Sequence, residues 1–138
     1  MIILDTNVLS ALMRPRPEQR VVDWLDRQPR TSVWTTSVTV LEIRFGLQIL
    51  ATGRRRTLLT EAFEELLARM GQRVATFDAA AAGQASDLMA VRHRKGRPVD
   101  LRDTMIAGIA IAQRATLATH NTVHFQDTSI PLVDPWTL

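Results

Sequence analysis

The chain has 138 residues, 46% of them hydrophobic, which predicts a single domain over residues 1–138 with a sizeable core. It has no cysteine, no apolar run near the roughly 18 residues of a membrane span and no basic segment before its first apolar stretch. These features argue against a disulfide scaffold, a membrane protein and a secreted protein, so we expect a cytoplasmic location. The net charge of +3 comes almost wholly from arginine, which favours a polyanion or an acidic protein as partner.

Apolar runs and helical repeats alternate along the chain. In chain order the predicted elements are a strand at 2–4, a helix at 7–12, a helix from Pro17 to Pro29, a strand at 31–36, a helix from Ser37 to Gly53, a helix from Arg54 to Gly71, a strand at 74–77, a helix at 79–92, a helix at 101–114, and strands at 116–118 and 131–133. Alternation of this kind predicts an α/β fold with a mainly parallel sheet.

Polar residues mark the starts of several predicted helices. Ser37, Asp78 and Asp100 each precede a helical repeat, so we predict that they are N-caps. Asp100 also shares a helix face with Asp103, three residues on, which leaves metal binding as its alternative role. The apolar face of the third helix is predicted from residues at helical spacing, namely Val38, Leu41, Phe45 and Ile49.

Three carboxylates fall outside these caps and outside the predicted solvent faces. Asp5 directly follows the first strand, Glu42 lies near the buried boundary of the third helix, and Asp103 lies in the first turn of the sixth. Because ligands bind beyond the carboxyl ends of parallel strands, we expect the three to meet at one edge of the sheet. The position of Asp5 alone is equally compatible with a simple helix cap.

Carboxylates that converge without a cation repel one another, and the pKa of at least one of them rises. A divalent ion removes that repulsion. Ligands that are all oxygen, with no histidine or cysteine at metal-binding spacing, favour Mg²⁺ or Mn²⁺ over Zn²⁺. Such an ion lowers the pKa of a bound water and stabilises charge on phosphoryl oxygens. The pattern therefore predicts metal-assisted hydrolysis.

Several stretches together form a recognisable pattern: residues 5–10, 37–43, 96–98, 103–110, 117–122 and 131–136. In order and spacing they closely resemble the PIN-domain ribonucleases, nearest the VapC/FitB-like toxins of bacterial type II toxin–antitoxin modules. The resemblance covers residues 1–136. It implies a three-layer α/β/α fold, an acidic cluster that binds Mg²⁺ or Mn²⁺, and hydrolysis of RNA phosphodiesters by a metal-activated water.

The resemblance also assigns roles to individual residues. Asp5, Glu42 and Asp103 match the three core acids of the family, which hold the metal. The hydroxyl groups commonly found at the edge of the site correspond to two threonines, Thr6 and Thr119.

The same resemblance implies partners. These are a small cognate antitoxin, RNA as substrate, a second copy in a homodimer that can extend to a larger toxin–antitoxin assembly, and operator DNA only through the antitoxin. No membrane is implied.

Two positions depart from the family pattern. The usual Thr-Arg-Asn-Thr stretch reads Thr119-His120-Asn121-Thr122 here, so Asn121 matches and His120 replaces the arginine. The fourth acid, which normally precedes a phenylalanine, is His124. A histidine there either serves the site through a ring nitrogen or weakens a second metal position. Asp127 is a candidate substitute for the missing acid, with a solvated turn residue as its alternative role.

Two rival functions remain open at this point. A catalytically weakened PIN protein would act mainly as an antitoxin-binding co-repressor or an RNA binder, with His124 as the reason. A phosphatase of the haloacid-dehalogenase type also begins with an aspartate after its first strand. That class needs a second aspartate two residues on, where this chain has Asn7.

Overall fold

The computed structural model describes residues 1–98 and 100–138. Five short parallel strands form one sheet in the order β3-β2-β1-β4-β5. The strands are β1 (Ile2–Leu4), β2 (Val33–Thr36), β3 (Val74–Ala75), β4 (Thr116–Ala118) and β5 (Leu132–Val133). Ile3 pairs with Trp34 of β2 and with Leu117 of β4, so β1 is the central strand. The predicted parallel sheet is confirmed, although β3 ends two residues earlier than predicted.

Six helices connect and cover these strands. They are α1 (Thr6–Met13), α2 (Gln19–Asp26), α3 (Ser37–Gln48), α4 (Arg54–Met70), α5 (Ala79–Arg94) and α6 (Leu101–Gln113). Asp78 and Asp100 cap α5 and α6 as predicted, since each side chain accepts a hydrogen bond from a backbone N–H in the first turn of its helix. Within residues 1–98 and 100–138, every helix is too short or too polar to cross a membrane.

The core has two parts, one on each face of the sheet. Successive residues of β1 point to opposite faces. Ile3 therefore packs with apolar residues of α5 and α6 such as Ile106, whereas Leu4 packs with residues of α1 and α4 such as Val8 and Phe63. Helices on both faces of a parallel sheet make the three-layer α/β/α arrangement that was expected.

The contact between α5 and α6 is unusually close at Gly108. A Cβ atom added there would lie 2.5 Å from the carbonyl oxygen of Ala81 and 2.8 Å from the Cβ of Ala85. The missing side chain of Gly108 therefore lets α6 approach α5 this closely. This packing fixes α6, whose first turn carries Asp103, against the body of the domain.

The third helix departs from prediction in two ways. Its N-cap is Thr36, whose hydroxyl accepts a hydrogen bond from the N–H of Thr39 at 3.0 Å, whereas Ser37 is the first helical residue. Its predicted apolar face is wrong except at Val38, since the buried residues of the helix are Val38, Thr39, Ile43 and Leu47. The helix carries two apolar stripes, and periodicity alone does not say which one packs on the sheet.

Candidate active site

Asp5 lies directly after β1, beside the end of β4. Its backbone N–H donates to the carbonyl of Ala118 at 2.9 Å, which extends the pairing of β1 with β4 by one residue. The next residue of the β4 segment, Thr119, donates its hydroxyl proton to Oδ2 of Asp5 at 2.8 Å. Oδ1 of the same carboxylate accepts the backbone N–H of Thr6 at 2.8 Å and so caps α1. One side chain thus serves both as a cap and as the centre of a polar cluster.

The environment of Asp5 disfavours its charge. The residue is 3% exposed, and this burial raises its pKa to about 6. Hydrogen bonds from Thr119 and Thr6 lower the pKa, while the negative charges of Asp103 and Glu42 raise it. The charges of Asp103 and Glu42 are therefore near enough to act on Asp5.

Glu42 reaches this edge from α3 and is held there by a hydroxyl group. The side chain of Thr6 donates to Oε1 of Glu42 at 2.9 Å, and its oxygen also lies 3.1 Å from the hydroxyl of Thr39. On the other side, Oε2 of Glu42 lies 3.7 Å from the guanidinium of Arg102. Thr6 thus connects two of the three acids, because its backbone N–H binds Asp5 and its hydroxyl binds Glu42.

Asp103 completes the edge from the first turn of α6. Its Oδ2 atom lies 2.8 Å from Nδ1 of His124, which belongs to the short 3-10 turn Thr122–Phe125. Both side chains remain accessible, at 22% exposed for Asp103 and 52% for His124. The structure therefore brings position 124 to the carboxylates, with an imidazole in contact with one of them.

A buried arginine that sequence reasoning missed holds this turn in place. Arg92 is 5% exposed and makes two hydrogen bonds to Asp127, at 2.8 and 3.0 Å. It also donates to the hydroxyl of Thr104 and to the backbone carbonyl of His124, at 2.9 and 2.8 Å. The position was detectable in the sequence, because Arg92 continues the buried stripe of α5 formed by Ala81, Ala85 and Leu88.

The side chain of Asp127 is consequently not solvated, since it is only 8% exposed and paired with Arg92. The guanidinium of Arg92, with a smaller contribution from Arg97, holds the pKa of Asp127 below its usual range. Because Asp127 is paired with Arg92 here, its replacement of the missing fourth acid would require a rearrangement of the loop and stays a prediction.

Asn7 is a second residue of the cluster that sequence reasoning did not assign to it. Its side-chain amide lies within 3.3 Å of both Oδ2 of Asp5 and the hydroxyl of Thr119. Its Oδ1 accepts the backbone N–H of His120 at 3.1 Å. Asn121 joins through its backbone, since its N–H donates to the Thr119 hydroxyl at 3.0 Å. The signal was available, because Asn7 follows Asp5 at the same strand end.

The donors at this edge suit a hard cation held partly through water. Among residues 1–98 and 100–138, no three side chains of His, Cys, Asp or Glu come close enough together to enclose an ion. Mg²⁺ typically uses one or two carboxylates and keeps several waters. A buried carboxylate with a raised pKa and two acidic neighbours provides that kind of oxygen site, and it fits Mg²⁺ or Mn²⁺ better than Zn²⁺.

Comparisons with known proteins identify one family of relatives. The sequence model of the family described as PIN domain matches residues 2–130. The chain is 36% identical to VapC ribonuclease Y4jK of Sinorhizobium fredii, over 99% of this chain and 98% of that protein. It is 33% identical to Toxin FitB of Neisseria gonorrhoeae over 99% of both. The solved structure of FitAB bound to an IR36 DNA fragment matches with a TM-score of 0.90 and 33% identity, covering 100% of this chain and 97% of that one.

Proposed function

The chain belongs to the PIN-domain family, in the group of the VapC and FitB toxins, and we propose that it is a metal-dependent endoribonuclease that acts as the toxin of a toxin–antitoxin pair. The observation that carries this proposal is the buried carboxylate of Asp5, whose pKa is raised by burial and by the negative charges of Asp103 and Glu42. Residues 1–138 would act as one domain, in the cytoplasm where RNA is available.

Asp5, Glu42 and Asp103 would hold Mg²⁺ or Mn²⁺. When bound, the ion would supply positive charge to the phosphoryl oxygens and make a water molecule more acidic. The hydroxyls of Thr119 and Thr6 would keep two of the carboxylates oriented, since each donates to one of them at 2.8 or 2.9 Å. The rate would come mainly from positioning and electrostatic stabilisation.

Asn121 and His124 would contribute at the edge of the same site. The N–H of Asn121 donates to the hydroxyl that orients Asp5, and the ring of His124 contacts Asp103.

Arginine side chains beside the acids suit a phosphodiester substrate. A cavity of about 310 Å³ adjoins Glu42 and Thr6, and Arg14, Arg55 and Arg102 line it. Guanidinium groups pair with phosphate oxygens in a planar, bidentate fashion. A strand of RNA that enters this cavity would place its phosphates next to the acidic edge.

A second, larger groove suits the antitoxin. Its volume is about 1020 Å³. Its lining combines apolar residues with arginines, and it includes Leu12, Leu58, Leu59, Ala62, Arg14, Arg16, Arg54 and Arg55. Arg14 and Arg55 line both this groove and the cavity beside Glu42. An amphipathic, acidic segment of a small antitoxin would fit the groove and block access to the acids. Operator DNA would be contacted only through that antitoxin.

The exposed stripe of α3 suits a second copy of the chain. Leu41, Phe45 and Ile49 are 62%, 56% and 68% exposed at a spacing of one helical turn. Contiguous apolar side chains on a surface mark a contact site, and a helix face can pair with itself about a two-fold axis. We therefore expect a homodimer, which the antitoxin can join into a larger assembly.

The decisive experiment is an RNA digestion with purified, antitoxin-free protein. Total RNA is incubated with Mg²⁺, with Mn²⁺, or with EDTA, beside the variant Asp5→Asn. The matched control is Asp87→Asn, which removes an exposed carboxylate of α5. We expect discrete cleavage products that EDTA and Asp5→Asn abolish and Asp87→Asn retains.

Intact RNA under every ion would overturn the nuclease proposal. In that case the weakened, binding-only alternative takes its place, because His124 already occupies one side of Asp103 at 2.8 Å. Antitoxin binding by the protein would then persist without turnover.

A further inference from the structure

An aromatic side chain, that of His120, lies beside the carboxylates, and the proposed function does not use it. His120 directly follows Thr119, whose hydroxyl binds Asp5, and its backbone N–H donates to the side chain of Asn7 at 3.1 Å. The backbone that carries the imidazole is thus tied to the polar cluster on two sides. Among residues 1–98 and 100–138, the hydrogen-bond partner of the ring is Asp134 and not one of the three acids.

Two residues near the C-terminus fix the orientation of this ring. Nδ1 of His120 lies 3.3 Å from Oδ1 of Asp134, and the His120 ring packs on Trp136 with centroids 4.3 Å apart. Oδ1 of Asp134 also accepts the backbone N–H of Trp136 at 2.9 Å, which joins the pair. Trp136 in turn packs against the apolar cluster of α1, α2 and α4.

The His120 side chain is nevertheless 51% exposed. Trp136 packs against the ring at a tilt of 34° and Asp134 lies at its Nδ1 edge, so about half of the side chain remains open to a ligand. A half-open aromatic ring that is already immobilised loses little conformational entropy when a flat ligand packs on it.

We propose that His120, backed by Trp136, is a stacking platform for an unpaired base of the RNA, next to the phosphate that is cut. This inference rests on the proposed function and names how the substrate is positioned. Single-stranded RNA is commonly bound through bases that stack on aromatic side chains, histidine among them. The platform fits a base better than a phosphate, because the carboxylate of Asp134 already lies at the Nδ1 edge of the ring.

A nearby cation suits the backbone of the same nucleotide. Arg20 donates from its guanidinium to the carbonyl of Trp136 at 3.1 Å and remains exposed. Arg20 is therefore joined to the same His120–Trp136 pair and is available to the backbone of a nucleotide bound there. His120 is accordingly a positioning residue for substrate, with no proton transfer assigned to it.

The test measures stacking directly. Single-stranded 16-nucleotide RNAs carry 2-aminopurine at a central position within random flanks, and they are titrated with Asp5→Asn protein in Mg²⁺ so that no cleavage occurs. We expect the fluorescence of 2-aminopurine to be quenched on binding. In this Asp5→Asn background, His120→Ala should abolish the quenching and raise Kd by roughly 5- to 150-fold, the range for loss of one base stack.

Two further variants keep the result interpretable. His120→Phe retains an aromatic face and should restore both quenching and Kd. His93→Ala, which removes an exposed histidine of α5, should behave as the parent. If His120→Ala fails to fold by circular dichroism, Asp134→Ala replaces it, because it removes the oxygen that both the His120 ring and the Trp136 N–H contact and so frees the ring; it should weaken quenching.

Kinetics with Asp5 intact separate this inference from the proposed function. We expect His120→Ala to raise KM while leaving kcat nearly unchanged, and His120→Phe to restore KM. Cleavage by the parent with equal quenching, Kd and KM for His120→Ala would overturn the platform alone. Failure of His120→Phe to restore binding would do the same. A parent that neither cuts nor binds RNA would overturn both the platform and the nuclease proposal.

Discussion

Two aspartates are withdrawn from water in this protein, and they show opposite electrostatics. Asp5 is 3% exposed and its pKa is raised to about 6. The side chain of Asp127 is 8% exposed and its pKa is lowered. Arg92 contacts Asp127 with two hydrogen bonds, whereas Asp5 is contacted by the hydroxyl and N–H groups of its neighbours.

The difference separates a carboxylate that an arginine neutralises from one whose charge is left unpaired. A buried charge is stable when it is paired and hydrogen-bonded, and it is costly otherwise. Among the described residues, no ion pair includes Asp5, and its charged neighbours Asp103 and Glu42 make its charge more costly still. The fold thus neutralises the charge of Asp127 with Arg92, whereas the charge of Asp5 has no ion-pair partner among the described residues.

The largest expected effect is the loss of stability in Asp127→Asn. Breaking a buried ion pair leaves Arg92 with an uncompensated charge, which typically costs about 3–5 kcal/mol. The free energy of unfolding, from urea denaturation followed by circular dichroism, measures it. Asp87→Asn is the surface control. A loss below about 1 kcal/mol would show that water enters around Arg92 and would remove one side of the comparison.

The same substitution at Asp5 should have the opposite sign at neutral pH without metal. A carboxylate whose pKa is raised in the folded state from 3.8 to about 6 favours the fold at low pH. Its contribution falls as the pH rises from about 4 to about 6, by up to about 3 kcal/mol. Unfolding in EDTA between pH 4 and pH 8 should show this fall in the parent and not in Asp5→Asn.

Divalent ions should reverse that penalty. At pH 7.5, added Mg²⁺ or Mn²⁺ should raise the melting temperature of the parent and leave that of Asp5→Asn unchanged, because a ligand stabilises only the state that binds it. A parent whose stability is flat with pH in EDTA, or equal gains for both proteins, would mean that Asp5 needs no cation.

The sequence predicts the acidic edge better than the structural pair, for a physical reason. Asp5, Glu42 and Asp103 each lie at a strand end or in an early helical turn, and a parallel sheet gathers such positions at one edge. Arg92 and Asp127 are 35 residues apart, and their contact depends on how the turn at 122–125 folds back on α5. No local sequence pattern predicts a contact between residues so far apart in the chain.

The third helix shows a different limit of sequence reasoning. Leu41, Phe45 and Ile49 have regular helical spacing, but they are exposed, and the core is filled by Ile43 and Leu47 instead. Periodicity identifies apolar faces without saying what covers them. A face that packs on the sheet and a face left for a second chain look alike in the sequence.

The variant His124→Asp would give Asp103 an acidic neighbour, as Asp5 already has. It replaces the imidazole that lies 2.8 Å from Asp103 with a second carboxylate. Added ligand charge strengthens binding of hard cations, so we expect roughly tenfold tighter Mg²⁺ binding. Melting temperature as a function of Mg²⁺ concentration measures it, with His124→Asn as the uncharged control. Equal midpoints for the parent and both variants would place position 124 outside the metal's reach.

The smallest expected effect on stability concerns Arg102, the arginine beside Glu42. Its guanidinium lies 3.7 Å from the Glu42 carboxylate and is 53% exposed, in contrast to the buried Arg92. Arg102→Ala should therefore change the free energy of unfolding by less than about 1 kcal/mol, as Arg69→Ala should at the surface pair Arg69–Glu65.

The two variants should differ in RNA binding: loss of one phosphate contact at Arg102 should lower the dependence of log Kd on log salt by about one. If Arg102→Ala instead lost several kcal/mol, Glu42 would be bound in a structural pair like Asp127, and only two free carboxylates would remain for a cation.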